Sequence, residues 1–124
     1  MMMAIILLKI WGNNFMITIK SVNYITTEDV EKLTGKHWGD FIFAQMAENG
    51  SYQILNCSDD RLEDLKDDFE DAEEPSVEDY EDEEEYNWYK SRCHYARLRN
   101  EINLIEILRN EYNIHDDILV WISW

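Results

Sequence analysis

Between positions 59 and 85 the chain carries 17 Asp or Glu and only two bases, Arg61 and Lys66, a net charge of −15. The other 97 residues carry 10 acids and 9 bases, a net of −1. This segregation constrains the fold more than any other feature, because an unpaired carboxylate is very costly to bury. The segment therefore belongs on the surface, and the core must come from the nearly neutral remainder. At 45% hydrophobic and 13% aromatic, 124 residues supply enough apolar side chain for one domain of ordinary size. A net charge of −16 and a pI near 4.3 argue against direct binding of nucleic acid or of an anionic membrane surface, both of which reward Lys and Arg. Basic proteins and cations are the partners that remain.

Two cysteines, Cys57 and Cys93, are too few for a disulfide framework and form no C-x-x-C pair, so reduced thiols in a cytoplasmic protein are expected. The opening MMMAIILLKIWGNNFMITIK lacks a basic leader. Its apolar run from Ala4 to Leu8 falls far short of the roughly 20 residues of a membrane span. Neither export nor insertion is expected, and the sequon at Asn56, Cys57 and Ser58 then carries no meaning. Because alternating ITIKSV begins right after Met16, residues 1–15 read as an N-terminal extension, either disordered or an added strand. Residues 16–124 form the expected domain.

Periodicity places the elements. MITIKSVNYI (16–25) predicts a strand, with Ile17 and Ile19 on one side and Lys20 on the other. Thr26 to Gly35 predicts a two-turn helix with Thr26 as N-cap and Gly35 as C-cap. DFIFAQMAENGSYQILNC predicts a hairpin turning at Asn49-Gly50, with a helix over Phe41–Ala47 as its rival. Ser58 is placed to cap a helix whose Leu62, Leu65 and Phe69 make one apolar stripe. Pro75 and Ser76 break the chain. From Val77 one long helix is expected to about Tyr112, with the stripe Tyr95, Leu98, Ile102, Ile105, Leu108 and Tyr112. DILVWISW predicts a strand central or next to central in a sheet. The expected fold is a small single α+β domain, an antiparallel or mixed sheet of about four strands with helices packed on one face. It has no internal repeat.

If residues 59–85 are mostly helical, they span roughly 40 Å and offer a carboxylate about every 2.4 Å of axis. Duplex DNA carries one charge about every 1.7 Å. A protein that grips a phosphate backbone through Lys and Arg is thus matched to this acidic helical segment, and carboxylates fit the guanidinium fork. Tyr80, Tyr86, Trp88 and Tyr89 add rings suited to stacking on arginine. The alternatives are a solvated or disordered run, or one neutralised internally by Lys90, Arg92, Arg97 and Arg99. Interleaved Val77, Tyr80, Tyr86 and Trp88 set the segment apart from a purely disordered tail.

Catalytic readings are weaker. His37, His94 and His115 are scattered, and adjacent Cys93 and His94 point about 100° apart on a helix, which does not pair nucleophile with base. DYEDEEEYN lacks the glycine of a calcium loop, and four glycines form no phosphate loop. No catalytic residue, metal site or cofactor is expected.

YEDEEEY, residues 80–86, resembles the acidic segment of a small phage-encoded anti-CRISPR protein that blocks Cas9. In size and charge the chain is also similar to phage antirestriction proteins that mimic DNA. The resemblance implies a viral nuclease inhibitor whose carboxylates occupy the site where a Cas9-type effector reads its short recognition duplex through arginine. It implies Tyr80, Glu81, Asp82, Glu83, Glu84, Glu85 and Tyr86 as the contacting stretch. Glu73, Glu74 and Asp79 extend the candidate partner-binding surface along the same run. The expected partner is a basic DNA- or RNA-binding protein, a CRISPR effector nuclease, met in the host cytoplasm. A non-catalytic acidic interaction module, antitoxin- or adaptor-like, is the alternative.

Overall fold

The computed structural model describes residues 6–10, 15–19 and 24–124. In chain order the elements are β1 (Ile6–Ile10), β2 (Phe15–Ile19), β3 (Tyr24–Thr26) and α1 (Thr27–Thr34). Short 3-10 turns at Trp38–Asp40 and Ile42–Met46 precede β4 (Tyr52–Asn56) and α2 (Asp59–Asp71). A further 3-10 turn at Val77–Asp79 leads to α3 (Glu83–Lys90), α4 (His94–Tyr112) and β5 (Asp117–Trp121).

The fold is mixed α+β, as expected, with a smaller main sheet than the four strands anticipated. Three strands in the order β3-β5-β4 form it, and β1 pairs antiparallel with β2 in a separate two-stranded sheet. Central β5 runs parallel to β3 and antiparallel to β4. The strand expected over 16–25 thus has its two ends in different sheets; 20–23, with Lys20, lie outside the described residues. Within the expected extension, Ile6–Ile10 is a strand paired with β2.

One face of the main sheet is core. Ile25, Val120, Ile118 and Leu55 are buried there, whereas Tyr52 and Ile54, on the opposite face of β4, are exposed. The buried face meets α4, whose stripe Leu98, Ile102, Ile105, Leu108 and Tyr112 is buried as its spacing predicts. Ala96, Asn100, Glu101 and Leu104 are buried too, so α4 is enclosed on more than the one stripe. Leu65 of α2 is buried, and Phe69 packs its ring 4.7 Å from that of Tyr95. Among the described residues no helix is long and apolar enough to cross a membrane.

Local signals are met at the caps. Thr26 closes a reciprocal capping box with Asp29, and Gly35 ends α1 at φ 70°, a left-handed conformation that glycine adopts without steric cost. The Ser58 hydroxyl accepts the Arg61 N–H at 3.3 Å and starts α2.

Two expectations fail for identifiable reasons. The helix foreseen over 77–112 is interrupted twice. The Asp82 carboxylate accepts the Glu85 N–H at 2.6 Å and caps α3 afresh, and α3 ends before Cys93, the extended N-cap of α4. The acidic segment is therefore no single rod: α2 is about 20 Å long at 1.5 Å per residue, and an irregular stretch separates it from α3. The 40–57 hairpin is likewise absent, and β4 pairs with β5 instead. Gly50 has the anticipated positive φ of 80°, but α4 takes the backbone groups a first hairpin strand would need. Glu101 Oε1 accepts the Phe43 N–H at 2.9 Å, Arg97 donates to the Phe41 carbonyl at 3.0 Å, and Asn100 donates to the Asp40 carbonyl at 2.8 Å. The rival helical reading of 41–47 is nearer the result, a 3-10 turn.

Glu101 is 2% exposed. Burial pushes its carboxyl up, against the Phe43 hydrogen bond and Arg61, which hold it down. With the folded-state pKa above the unfolded value of about 4.3, the group's stabilising contribution is complete below that pH and is lost as pH rises through the folded value. Glu101→Gln is therefore expected to gain stability relative to the parent as pH rises from 4 to 7, read by urea denaturation across that range. Glu101→Leu, which strands the Phe43 N–H, is expected to cost about 1–3 kcal/mol. A parent-minus-variant difference independent of pH would contradict the first expectation.

Candidate functional site

All 17 carboxylates between Asp59 and Glu85 are exposed. Only Asp59 is ion-paired among the described residues, with Arg109, which also donates to the Cys57 carbonyl at 2.7 Å. The two bases within the segment are directed elsewhere: Arg61 toward Glu101 at 3.8 Å and Lys66 toward Glu106 at 4.0 Å, both on α4.

Internal neutralisation by the downstream bases is not found. Lys90 lies over the Tyr86 ring at 5.4 Å and Arg99 over the Tyr95 ring at 5.9 Å. Arg92 covers the Trp88 ring at 4.8 Å and donates to the Trp88 carbonyl at 2.7 Å. Arg97 donates to the carbonyls of Arg92 and Phe41. Among the described residues no ion pair joins any of these four to the acidic run.

The candidate residues fall into two groups. Asp79 ends a 3-10 turn, Glu81 follows in a bend, Asp82 caps α3, and Glu83, Glu84 and Glu85 fill its first turn. Carboxylates there face the positive end of the helix dipole and stabilise α3. Tyr80 ties this turn to the helix, its ring 5.7 Å from Tyr86 and 5.4 Å from Tyr89. Desolvation, then the neighbouring Tyr89, Cys93, Asp79 and Glu85, pushes the Tyr80 phenol up. Residues 79–86 thus form one continuous acidic and aromatic surface, flanked by exposed Val77, Trp88 and Tyr89. Glu73 and Glu74 sit before Pro75 in the link from α2. Glu74 shares a cleft of about 230 Å³ with Tyr86 and with Lys36, Lys90 and Arg99.

The C-terminal turn of α2 holds carboxylates where the dipole disfavours them. Asp68, Glu70 and Asp71 close that helix without a base in its last turn. The charge there works against the fold. Despite the abundance of carboxylates, no three His, Cys, Asp or Glu among the described residues converge to hold a metal ion.

Both cysteines are free and buried, and desolvation pushes the Cys57 thiol up to about 12, far from a reactive thiolate. His94 is exposed and opens α4 directly after buried Cys93. The residues missed from sequence are Glu101 and Asn100, which with Arg97, considered instead for neutralising the acidic run, fix the 40–43 backbone. Their only sequence signal is polar character amid the apolar residues of the last helix. Comparison with protein-family models, with curated proteins and with solved structures finds no match to this chain.

Exposed, unpaired like charges repel, and salt screens that repulsion. Added NaCl is expected to raise the melting temperature, as is Asp68→Asn combined with Asp71→Asn, measured by circular dichroism. A lower melting temperature in both experiments would mean that these carboxylates have stabilising partners.

Proposed function

We propose that the protein is an acidic nucleic-acid mimic that occupies the basic DNA-binding groove of a host defence nuclease of the CRISPR Cas9 type and blocks DNA recognition. The observation that carries this reading is the exposure of all 17 carboxylates, of which only Asp59 has an ion-pair partner among the described residues. A surface kept charged even at the C-terminal turn of α2, where the helix dipole disfavours it, with nearby cations turned to rings and carbonyls, is available to cations from outside.

The contacting stretch is Asp79 to Tyr86, with Glu73 and Glu74 beside it. Its carboxylates accept hydrogen bonds from the arginine and lysine side chains that otherwise hold phosphate or guanine, and each charge-assisted bond is worth about 1.5–3 kcal/mol. The resemblance of YEDEEEY to a Cas9-inhibitor segment points the same way. The match to duplex charge density holds for two separate acidic patches, not for one 40 Å rod. The action takes place in the bacterial cytoplasm, without catalysis, cofactor or direct nucleic-acid contact.

A second reading, an antitoxin- or adaptor-like interaction module, draws on Val77, Trp88 and Tyr89, which are 52%, 60% and 41% exposed beside the carboxylates. Apolar and aromatic area of that kind suits a protein partner with or without DNA competition.

In the test, the parent competes with target DNA for a Cas9–guide complex, and its affinity falls steeply between 0.05 and 0.5 M NaCl. The combination Glu81→Gln, Glu83→Gln, Glu84→Gln and Glu85→Gln leaves the Asp82 cap intact and is expected to weaken inhibition by orders of magnitude while the protein stays folded. Full inhibition by the folded variant would reduce the acidic run to solvated surface. Binding to a partner without displacement of DNA would favour the interaction module.

A further inference from the structure

A second cleft, which takes no lining residue from the acidic segment, lies where the start of α1, the end of β5 and Trp38 meet. The cleft there has a volume of about 460 Å³, within the range of about 300–1,000 Å³ that takes small ligands. Two indoles, Trp38 and Trp121, and two carboxylates, Glu28 and Glu31, line it together with His37, and neither Lys nor Arg does. The remaining wall is hydroxylic, and Thr27 ties it shut by donating to the Ser123 carbonyl at 2.9 Å.

The side chains are held before any ligand arrives. Glu31 Oε2 accepts the Trp38 backbone N–H at 3.0 Å, which fixes the carboxylate beside the indole. Its other oxygen, Oε1, has no partner among the described residues. The Trp38 ring stacks on Trp124 at 5.5 Å and 9° and on His37 at 5.7 Å and 30°, so Trp121 is the indole with a face to offer a guanidinium. Trp121 is braced by Tyr52, the ring centroids 4.9 Å apart. Glu28 is engaged by Lys32 at 3.0 Å, so Glu31 is the carboxylate left for a ligand. His37, 3.9 Å from Glu31, competes only when protonated.

The first turn of α1 does not invite an anion, because its capping box occupies the Thr26 and Asp29 N–H groups and the Glu31 carboxylate lines the same cleft. Indole walls beside one positioned carboxylate match a planar guanidinium, which stacks on aromatic faces and forks its N–H donors onto carboxylate oxygens. A compact ammonium uses only part of this arrangement. We infer that the Glu31–Trp38–Trp121 cleft is a recognition site for a single arginine side chain of a partner protein. The overall charge of −16 draws such a cation in from solution.

The probe is N-acetyl-arginine amide, titrated into the isotopically labelled protein, with the indole N–H resonances of Trp38 and Trp121 as the readout. Saturable shifts at both are expected, with none for N-acetyl-citrulline amide, the neutral isostere, and weaker binding of N-acetyl-lysine amide. Free arginine, whose own carboxylate brings negative charge into a cleft that already holds Glu31, should bind more weakly than the blocked form; equal or tighter binding would overturn a protein side chain as the source. Glu31→Gln keeps an acceptor for the Trp38 N–H and should weaken the probe about tenfold or more, in line with loss of a charge-assisted bond. Trp121→Leu, away from that hydrogen bond, should do likewise. Citrulline binding as well as arginine, or an unchanged affinity in both folded variants, would overturn the inference. At 0.5 M NaCl, where charges more than a few ångströms apart are screened, the four-Gln variant of α3 should leave probe affinity within about twofold, so this site and the proposed acidic surface stand or fall separately.

Discussion

The buried Glu101 carboxylate is the interaction through which the helices and the 41–46 segment find their places. It sits on α4, accepts the Phe43 N–H at 2.9 Å and faces Arg61 of α2 at 3.8 Å. A carboxylate that is 2% exposed is tolerable only with such partners. Arg61 is partly open to solvent, so the backbone hydrogen bond does more of the work than the ion pair. With Arg97, one turn before Glu101, and its neighbour Asn100 holding the Phe41 and Asp40 carbonyls, the latch turns 40–43 toward α4 and buries Phe41 and Phe43 in the shared core.

That arrangement determines where the acidic charge goes. α2 uses Leu65, Phe69, Arg61 and Lys66 to meet α4, through burial, ring packing and two ion pairs. Its bases are thereby spent on the inner side, and apart from Asp59, paired with Arg109, its carboxylates have no ion-pair partner among the described residues. The same logic recurs downstream. Lys90, Arg92 and Arg99 lie over Tyr86, Trp88 and Tyr95, which keeps these cations near their own helices while the run from Asp79 to Glu85 faces solvent. The charge segregation of the sequence thus persists in space as a strongly acidic surface on an ordinary apolar core.

A second consequence concerns the far end of the sheet. Parallel pairing of β3 with β5 brings Thr26 opposite Trp121, and α1 begins immediately after β3. Glu31 and Trp121, 90 positions apart in the chain, therefore line one cleft. The acidic surface of α2 and α3 concentrates charge, whereas this indole-lined cleft holds a single carboxylate, Glu31, fixed by the Trp38 backbone N–H.

Local chemistry made much of this legible in the sequence. Thr26 and Gly35 bound α1, Ser58 starts α2, and the 3.6-residue stripe from Leu98 to Tyr112 marks the buried face of α4, because capping and periodicity are decided within a few residues. The charge run had to be surface for the same kind of reason, since no burial of 17 carboxylates is affordable at any arrangement. What the tertiary structure alone decided is everything that depends on distant partners. The 41–46 segment forms a 3-10 turn because Glu101, from 58 residues away, takes the Phe43 N–H; β4 pairs with β5 for want of that nearer partner; and the Glu31 cleft exists only once β3 lies beside β5. Hydrogen-bond satisfaction over such separations leaves no periodic mark in the chain, so it is visible only when the fold brings the groups together.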